Sequence, residues 1–221
     1  MKHLNKKYYI WLLIIISALA YLIIYSILAK NENPIIGFIK PISYVVMFDT
    51  LFVFAFVKWF WKWNFLYPWL VPFPNLNGTW KGDILSTWID PITKERPDPI
   101  PSILTIKQSF ISISCIMRTE EMESFSFTSD FVIDIENQVL RLIYSYDSIP
   151  KQTVRERSPQ HFGTMDFKVI YDSKKELIGN YWSGRKTTGS IDMKFWKKKQ
   201  LEKYPKKIGK HPVSKLRGNE K

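Results

Sequence analysis

"PNLNGTWKGDILSTW", residues 74–88, is where the character of this chain changes. Upstream the sequence is almost continuous hydrocarbon; from here on, apolar and polar residues alternate. A side-chain period of two is the mark of a strand with one buried face. Trp80, Gly82, Ile84, Ser86 and Trp88 fall on one side and Lys81 and Asp83 on the other, so the tryptophan side is expected to point inward.

The alternation continues to about residue 197, with turn residues every 8–12 positions and little helical periodicity. It predicts eight strands, at 78–88, 102–108, 110–118, 123–133, 138–146, 162–171, 176–185 and 188–196. "DPITKERPDPIP" joins the first two and "SIPKQTVRERSPQ" the fifth and sixth. The remaining connections are short, with corners near Glu136-Asn137, Asp172-Ser173 and Thr187-Thr188. Sequential strands with tight turns favour antiparallel up-and-down order, and closure removes the exposed edges of an open sheet. The expected fold is therefore a membrane-anchored all-β protein: two N-terminal helices, then an eight-stranded, lipocalin-like barrel over residues 74–197.

Parity assigns most inward faces. The fifth strand turns Leu140, Leu142, Tyr144 and Tyr146 inward, the seventh Gly179, Tyr181, Ser183 and Arg185, and the eighth Ile191, Met193 and Phe195. The third strand is ambiguous, with Ile111, Ile113, Cys115 and Met117 against Ser112, Ser114, Ile116 and Arg118. The inward set is apolar in one part and carries Trp88, Tyr144, Tyr146 and Arg185 towards the strand ends. Eight strands enclose either packed side chains or one small ligand. An inward Arg needs an anion, because an unpaired buried charge is costly, and its planar fork suits phosphate. Polar-tipped aromatics can stack a base, at about 1–3 kcal/mol each. A barrel plugged by these rings, with Arg185 at a wet rim, satisfies the same spacing.

The chain of 221 residues is 46% hydrophobic, and the apolar residues are concentrated near the start. "YYIWLLIIISALAYLIIYSILA", residues 8–29, has no charge, and "ISYVVMFDTLFVFAFVKWF", residues 42–60, has only Asp49 and Lys58. Each is long enough to span a bilayer as a helix, and the first exceeds the apolar core of a signal peptide. The expected anchor is a cytoplasmic N-terminus at 1–7, spans at 8–29 and 42–61, an external connection at 30–41 and a juxtamembrane linker at 62–73. Lys2, Lys6 and Lys7 before the first span and Lys58 and Lys62 after the second outweigh Lys30 and Lys40 against Glu32 in the connection. That balance puts both termini in the cytoplasm. Trp59, Trp61, Trp63, Tyr67 and Trp69 then form an interfacial belt. Asp49, ionisable within a span, is a candidate functional residue, lining a polar path or joining helices.

The net charge of +12 is uneven. Residues 194–221 hold 11 Lys/Arg and 2 Asp/Glu, whereas residues 62–193 hold 15 and 16. A basic block of this kind reads as a solvated, disordered tail over 198–221, able to touch anionic lipid. It lacks the interleaved aromatics of a nucleic-acid surface, so no DNA or RNA partner is expected. Cys115 is the single cysteine, and the three histidines, His3, His161 and His211, are scattered. The sequence carries no metal-ligand spacing, no nucleophile elbow and no convincing carboxylate pair, so neither an enzyme nor a resident cofactor is expected.

Two apolar segments followed by "LNGTWKG" and "STW", and later by "YWSGRKTTGSIDMKFW", resemble one bacterial family. These are the CBASS anti-phage effectors with two transmembrane helices and a C-terminal β-barrel. The resemblance implies that the barrel binds a cyclic dinucleotide made by a partner nucleotidyltransferase. It implies too that binding drives homo-oligomerisation, and that the helices then disrupt the bacterial inner membrane in abortive infection. Carried onto this sequence, Arg185, Thr187 and Thr188 of "GRKTTG" would contact phosphate. Trp88 and Tyr144 would face the bases, with Ser86 and Tyr146 in support. Arg155 and Arg157 belong to a loop read as solvated, with a lid as the alternative. The competing function is a membrane-anchored, lipocalin-like carrier or sensor of a lipid or other apolar ligand.

Overall fold

The computed structural model describes residues 6–28, 33–134, 136–172 and 175–214. The chain divides into a helical unit ending at Val71 and a β unit starting at Pro72.

The helical unit is built on α1 (Lys6–Leu28) and α2 (Pro34–Lys58), both long and apolar enough to cross a membrane. Their outward faces are bare hydrocarbon, with Trp11, Leu19, Ile27, Phe38 and Leu51 all exposed. The expected connection at 30–41 is largely helix instead. Asn33 caps α2, its side chain accepting from the Ile35 N–H at 3.1 Å, and Pro34 opens the first turn. A capping Asn followed by Pro is a helix start, because Pro fixes a helical φ where no N–H is needed. Pro41 therefore lies inside α2. Lys2, Lys30 and Glu32, which bear on the orientation, lie outside the described residues. Asp49 accepts a hydrogen bond from Ser17 Oγ of α1 at 2.7 Å, which ties the two helices together.

In the β unit, the strands are β1 (Gly78–Ser86), β2 (Ile100–Gln108), β3 (Ile113–Arg118), β4 (Met122–Asp134), β5 (Val139–Pro150), β6 (His161–Ile170), β7 (Glu176–Ser183) and β8 (Thr188–Lys197). Each pairs antiparallel with the next, and β8 pairs with β1 to close the barrel. β1 stops at Ser86 rather than at residue 88. There the Ser86 hydroxyl accepts from the Trp88 N–H at 3.2 Å, turning the backbone out of the ladder. β3 starts at Ile113 rather than at 110, since Ser109 and Ser112 close a turn between their hydroxyls and backbones. The β7–β8 corner is Gly184–Lys186, not Thr187-Thr188. Lys186 takes a positive φ of 58°, and the Ser183 N–H donates to the Thr187 carbonyl at 3.0 Å. The Asp172-Ser173 corner falls partly outside the described residues.

The inward faces follow parity. Trp80, Leu104, Phe131, Leu142, Phe167, Leu177, Ile191 and Met193 are all at most 1% exposed and fill one end of the barrel. The open choice in β3 resolves towards Ile113, Cys115 and Met117, all buried. β2 is buried on both faces: Ser102, Leu104 and Ile106 face inward, while Ile103 and Thr105 are covered from outside.

The cover is the stretch after β8. Expected as a solvated tail, it lies against the barrel wall as far as Ser214. The Lys199 carbonyl accepts from Thr79 Oγ1 at 2.7 Å, and the Leu201 carbonyl accepts from Thr105 Oγ1 at 2.9 Å and from Arg118 Nη1 at 3.1 Å. Outward hydroxyls and a buried guanidinium give its backbone partners that a solvated chain would find in water. Residues 215–221 lie outside the described residues.

Candidate functional site

The end of the barrel away from Trp80 is open. β1 and β8 run from Thr79↔Lys197 at the packed end to Ser86↔Gly189 at the open one. A cavity of about 140 Å³ lies there, lined by Ser86, Trp88, Tyr144, Tyr146, Tyr181 and Arg185 among others. Two tyrosines owe their placement to glycines. Tyr146 pairs with Gly163 across β5–β6, and a Cβ at Gly163 would fall 2.5 Å from the ring carbon Cζ. Tyr181 pairs with Gly189 across β7–β8, and a Cβ there would fall 2.5 Å from its Cε1. Each ring lies where its partner has no side chain, so both aromatics line the wall without plugging the mouth.

The polar groups are arranged around these rings. The Tyr181 hydroxyl donates to Ser86 Oγ at 3.0 Å. The Tyr144 hydroxyl is fully buried and has no hydrogen-bond partner among the described residues. Burial pushes the Tyr144 and Tyr146 phenols up, so both stay neutral. Arg185, carried on the β7–β8 corner, donates to Ser158 Oγ. Among the described residues no carboxylate pairs with Arg185. Burial and the nearby Arg157 guanidinium lower its pKa, against the pull of Tyr181 and Tyr146.

Arg157, read from sequence as part of a solvated loop, instead lines the cavity and pairs with Glu121. The loop is held there because the buried Val154 anchors it and the Ser158 N–H bonds the Val154 carbonyl at 2.9 Å. Two histidines that looked scattered also converge on the cavity. His161 Nδ1 donates to the Pro159 carbonyl at 2.9 Å, and burial holds its pKa below the usual value. His211 Nδ1 lies 3.3 Å from Glu121 Oε1 without hydrogen-bonding geometry. Burial lowers its pKa more strongly than Glu121 raises it.

Of the sequence candidates, the fold brings Ser86, Trp88, Tyr144, Tyr146, Arg185 and Thr187 to one cavity. Thr188 stays outside. It is exposed at the start of β8, and its hydroxyl meets that of Thr87 at 2.8 Å. Alternation puts neighbours on opposite faces, so Thr187 and Thr188 cannot both face in. Sequence reasoning missed Glu121, His161 and His211 as lining residues. Parity had already turned Tyr181 inward.

With this geometry in view, comparison of the sequence with known families is decisive. Residues 71–195 match the family described as the Cap15 cyclic dinucleotide receptor domain. The chain belongs to that family. It is also 27% identical, over 159 residues, to the CD-NTase-associated protein 15 of Staphylococcus schleiferi, an alignment covering 72% of this chain and 81% of the relative. The Cap15 match takes in the whole barrel except the end of β8, and with it Ser86, Trp88, Tyr144, Tyr146 and Arg185. His211 and Val213, which also line the cavity, lie beyond it.

Proposed function

We propose that this Cap15 barrel is the sensor of a CBASS anti-phage effector and that its ligand is a cyclic dinucleotide made by a partner nucleotidyltransferase. The observation that carries the reading is Arg185, half-buried at the mouth of an aromatic cavity and, among the described residues, without a carboxylate partner. One phosphodiester would meet Arg185, with Thr187 beside it, and the second would lie within reach of Arg157. Trp88, Tyr144, Tyr146 and Tyr181 supply faces for the bases. The unpartnered Tyr144 hydroxyl is a donor for a base edge, a contact that tells one base from another. The lipid-carrier alternative fits less well. Trp80, Leu142, Phe167 and Met193, each at most 1% exposed, pack the barrel below the cavity where an acyl chain would have to run.

In this reading α1 and α2 hold the effector in the bacterial inner membrane, with both termini and the barrel in the cytoplasm. Ligand binding drives homo-oligomerisation and the helices then breach the membrane. Calorimetric titration of the full chain in detergent with cyclic di-AMP, cyclic di-GMP and cyclic GMP-AMP tests it. Tight binding of one member, lost in Arg185→Ala, is expected. Heat with fatty acids and none with any cyclic dinucleotide overturns it.

A further inference from the structure

The stretch after β8 is a strap that runs the length of the barrel. It starts on the packed end, where Thr79 and Thr105 hold Lys199 and Leu201. It passes Pro101, whose ring would lie 3.2 Å from a Cβ at Gly209. It ends at the mouth, where the His211 N–H donates to Glu120 Oε2 and Ser214 Oγ donates to Glu121. There Val213, 3% exposed, and His211 form part of the cavity lining.

Two facts bear on this end of the strap. The cavity beneath it, about 140 Å³, is well short of the roughly 300–1,000 Å³ of a small-molecule site, and a cyclic dinucleotide is a large small molecule. Something at the mouth must give way. The other lining residues outside the strands, Trp88, Pro97, Arg157 and Ser158 among them, belong to loops tethered between two strands. Among the described residues, 205–214 belong to no strand of the barrel, so lifting them breaks no ladder hydrogen bond. It is fastened by a polar latch around one carboxylate. Glu121 accepts from Ser214 and from Arg157 Nη2, and Arg157 Nη2 also donates to Ser214 at 3.1 Å. The latch is self-cancelling towards an anionic ligand. A phosphate that takes Arg157 removes the cation which makes Glu121 tolerable in a buried site.

We propose that residues 205–214 are an autoinhibitory lid, latched to Glu121 and Arg157, which an incoming cyclic dinucleotide releases. The proposal rests on the ligand class assigned above. It adds that the mouth of the empty sensor is narrowed by its own C-terminal strap, and that ligand and strap compete for the same guanidinium.

The test uses the full chain in detergent. Cys115 is fully buried, so a Val213→Cys substitution supplies the reactive thiol. Maleimide labelling of that introduced thiol is timed with and without whichever of cyclic di-AMP, cyclic di-GMP or cyclic GMP-AMP gives heat in calorimetry. Labelling is expected to speed up at least tenfold with ligand, and severalfold without ligand when Glu121→Gln is added. Hydrogen exchange of amides 205–214 in the unmodified chain reads the same opening without any substitution, and should rise on binding. Ligand heat with labelling and exchange unchanged overturns the lid and leaves the sensor standing. Absence of heat from every cyclic dinucleotide overturns both.

Discussion

Tyr146 on β5 lies across from Gly163 on β6, and its ring fills the volume that a side chain at Gly163 would need. The glycine thus holds an aromatic against the wall of the cavity. Gly163→Ala should drive the Tyr146 ring off the wall and into the mouth, while also pressing the Trp182 backbone carbonyl, 2.8 Å from the added Cβ. Overpacking of this kind costs about 1–3 kcal/mol. The expected result is at least tenfold weaker cyclic dinucleotide binding by calorimetry, with circular dichroism still reading a folded barrel.

Arg185 sits in a conflict between stability and binding. In the empty protein it is a half-buried cation without a carboxylate among the described residues, so Arg185→Gln should raise the thermal midpoint slightly while abolishing ligand-dependent stabilisation. Differential scanning fluorimetry with and without ligand reads both effects in one experiment. A variant that loses stability yet still shifts with ligand would remove Arg185 from the site.

Thr188→Ala should leave affinity unchanged within twofold, because Thr188 faces solvent and bonds Thr87. Leu142→Ala, by contrast, opens a hole in the packed end and should cost about 2–5 kcal/mol in a denaturant titration. These two substitutions separate the outward and inward sides of the same barrel.

His161 and His211 both have pKa values held below the ordinary histidine value by burial. The unfolded chain then binds protons more readily than the folded one at mildly acidic pH. Their contribution to stability is complete above about pH 6.5, the unperturbed histidine value, and is lost as pH falls through the folded-state values. The thermal midpoint should therefore drop between pH 7.5 and 5.5. The drop should shrink in a His161→Gln, His211→Gln double variant.

Asp49→Ala should leave ligand affinity intact, because Asp49 belongs to the helical unit. It should weaken growth arrest when the chain is co-expressed with an activating nucleotidyltransferase. Unchanged toxicity would strike Asp49 from the mechanism.

The barrel and its faces were legible because turns at regular spacing fix strand parity, and one tryptophan face in β1 then orients the rest. The inward face of β3 was not readable. Isoleucines stand on both of its faces, and Ile116 and Arg118 are half or fully covered from outside. What hides that outer face is the strap, and the strap has no pattern of its own. Leu201 and Val213 are isolated apolar residues in a lysine-rich run. The start of α2 was written in Asn33-Pro34, a capping Asn followed by Pro, in a stretch expected to be a connection. The clustering at the mouth was visible only in part. Parity found Tyr144, Tyr146 and Arg185, but Glu121 and His211 arrive from a turn and from the strap, where no period applies.

Because β1 and β8 are antiparallel neighbours, the chain enters and leaves the barrel at the same end, and the cavity is at the other. The nine residues of β1, at about 3.3 Å each, put roughly 30 Å of sheet between them. A closed ladder resists stretching along that length. The strap touches both ends from outside, fixed at Thr79 and released, on the proposal above, at Glu121. On that proposal the strap is a tether held at the entry end, and the event at the mouth changes how much loose chain that end of the barrel must carry.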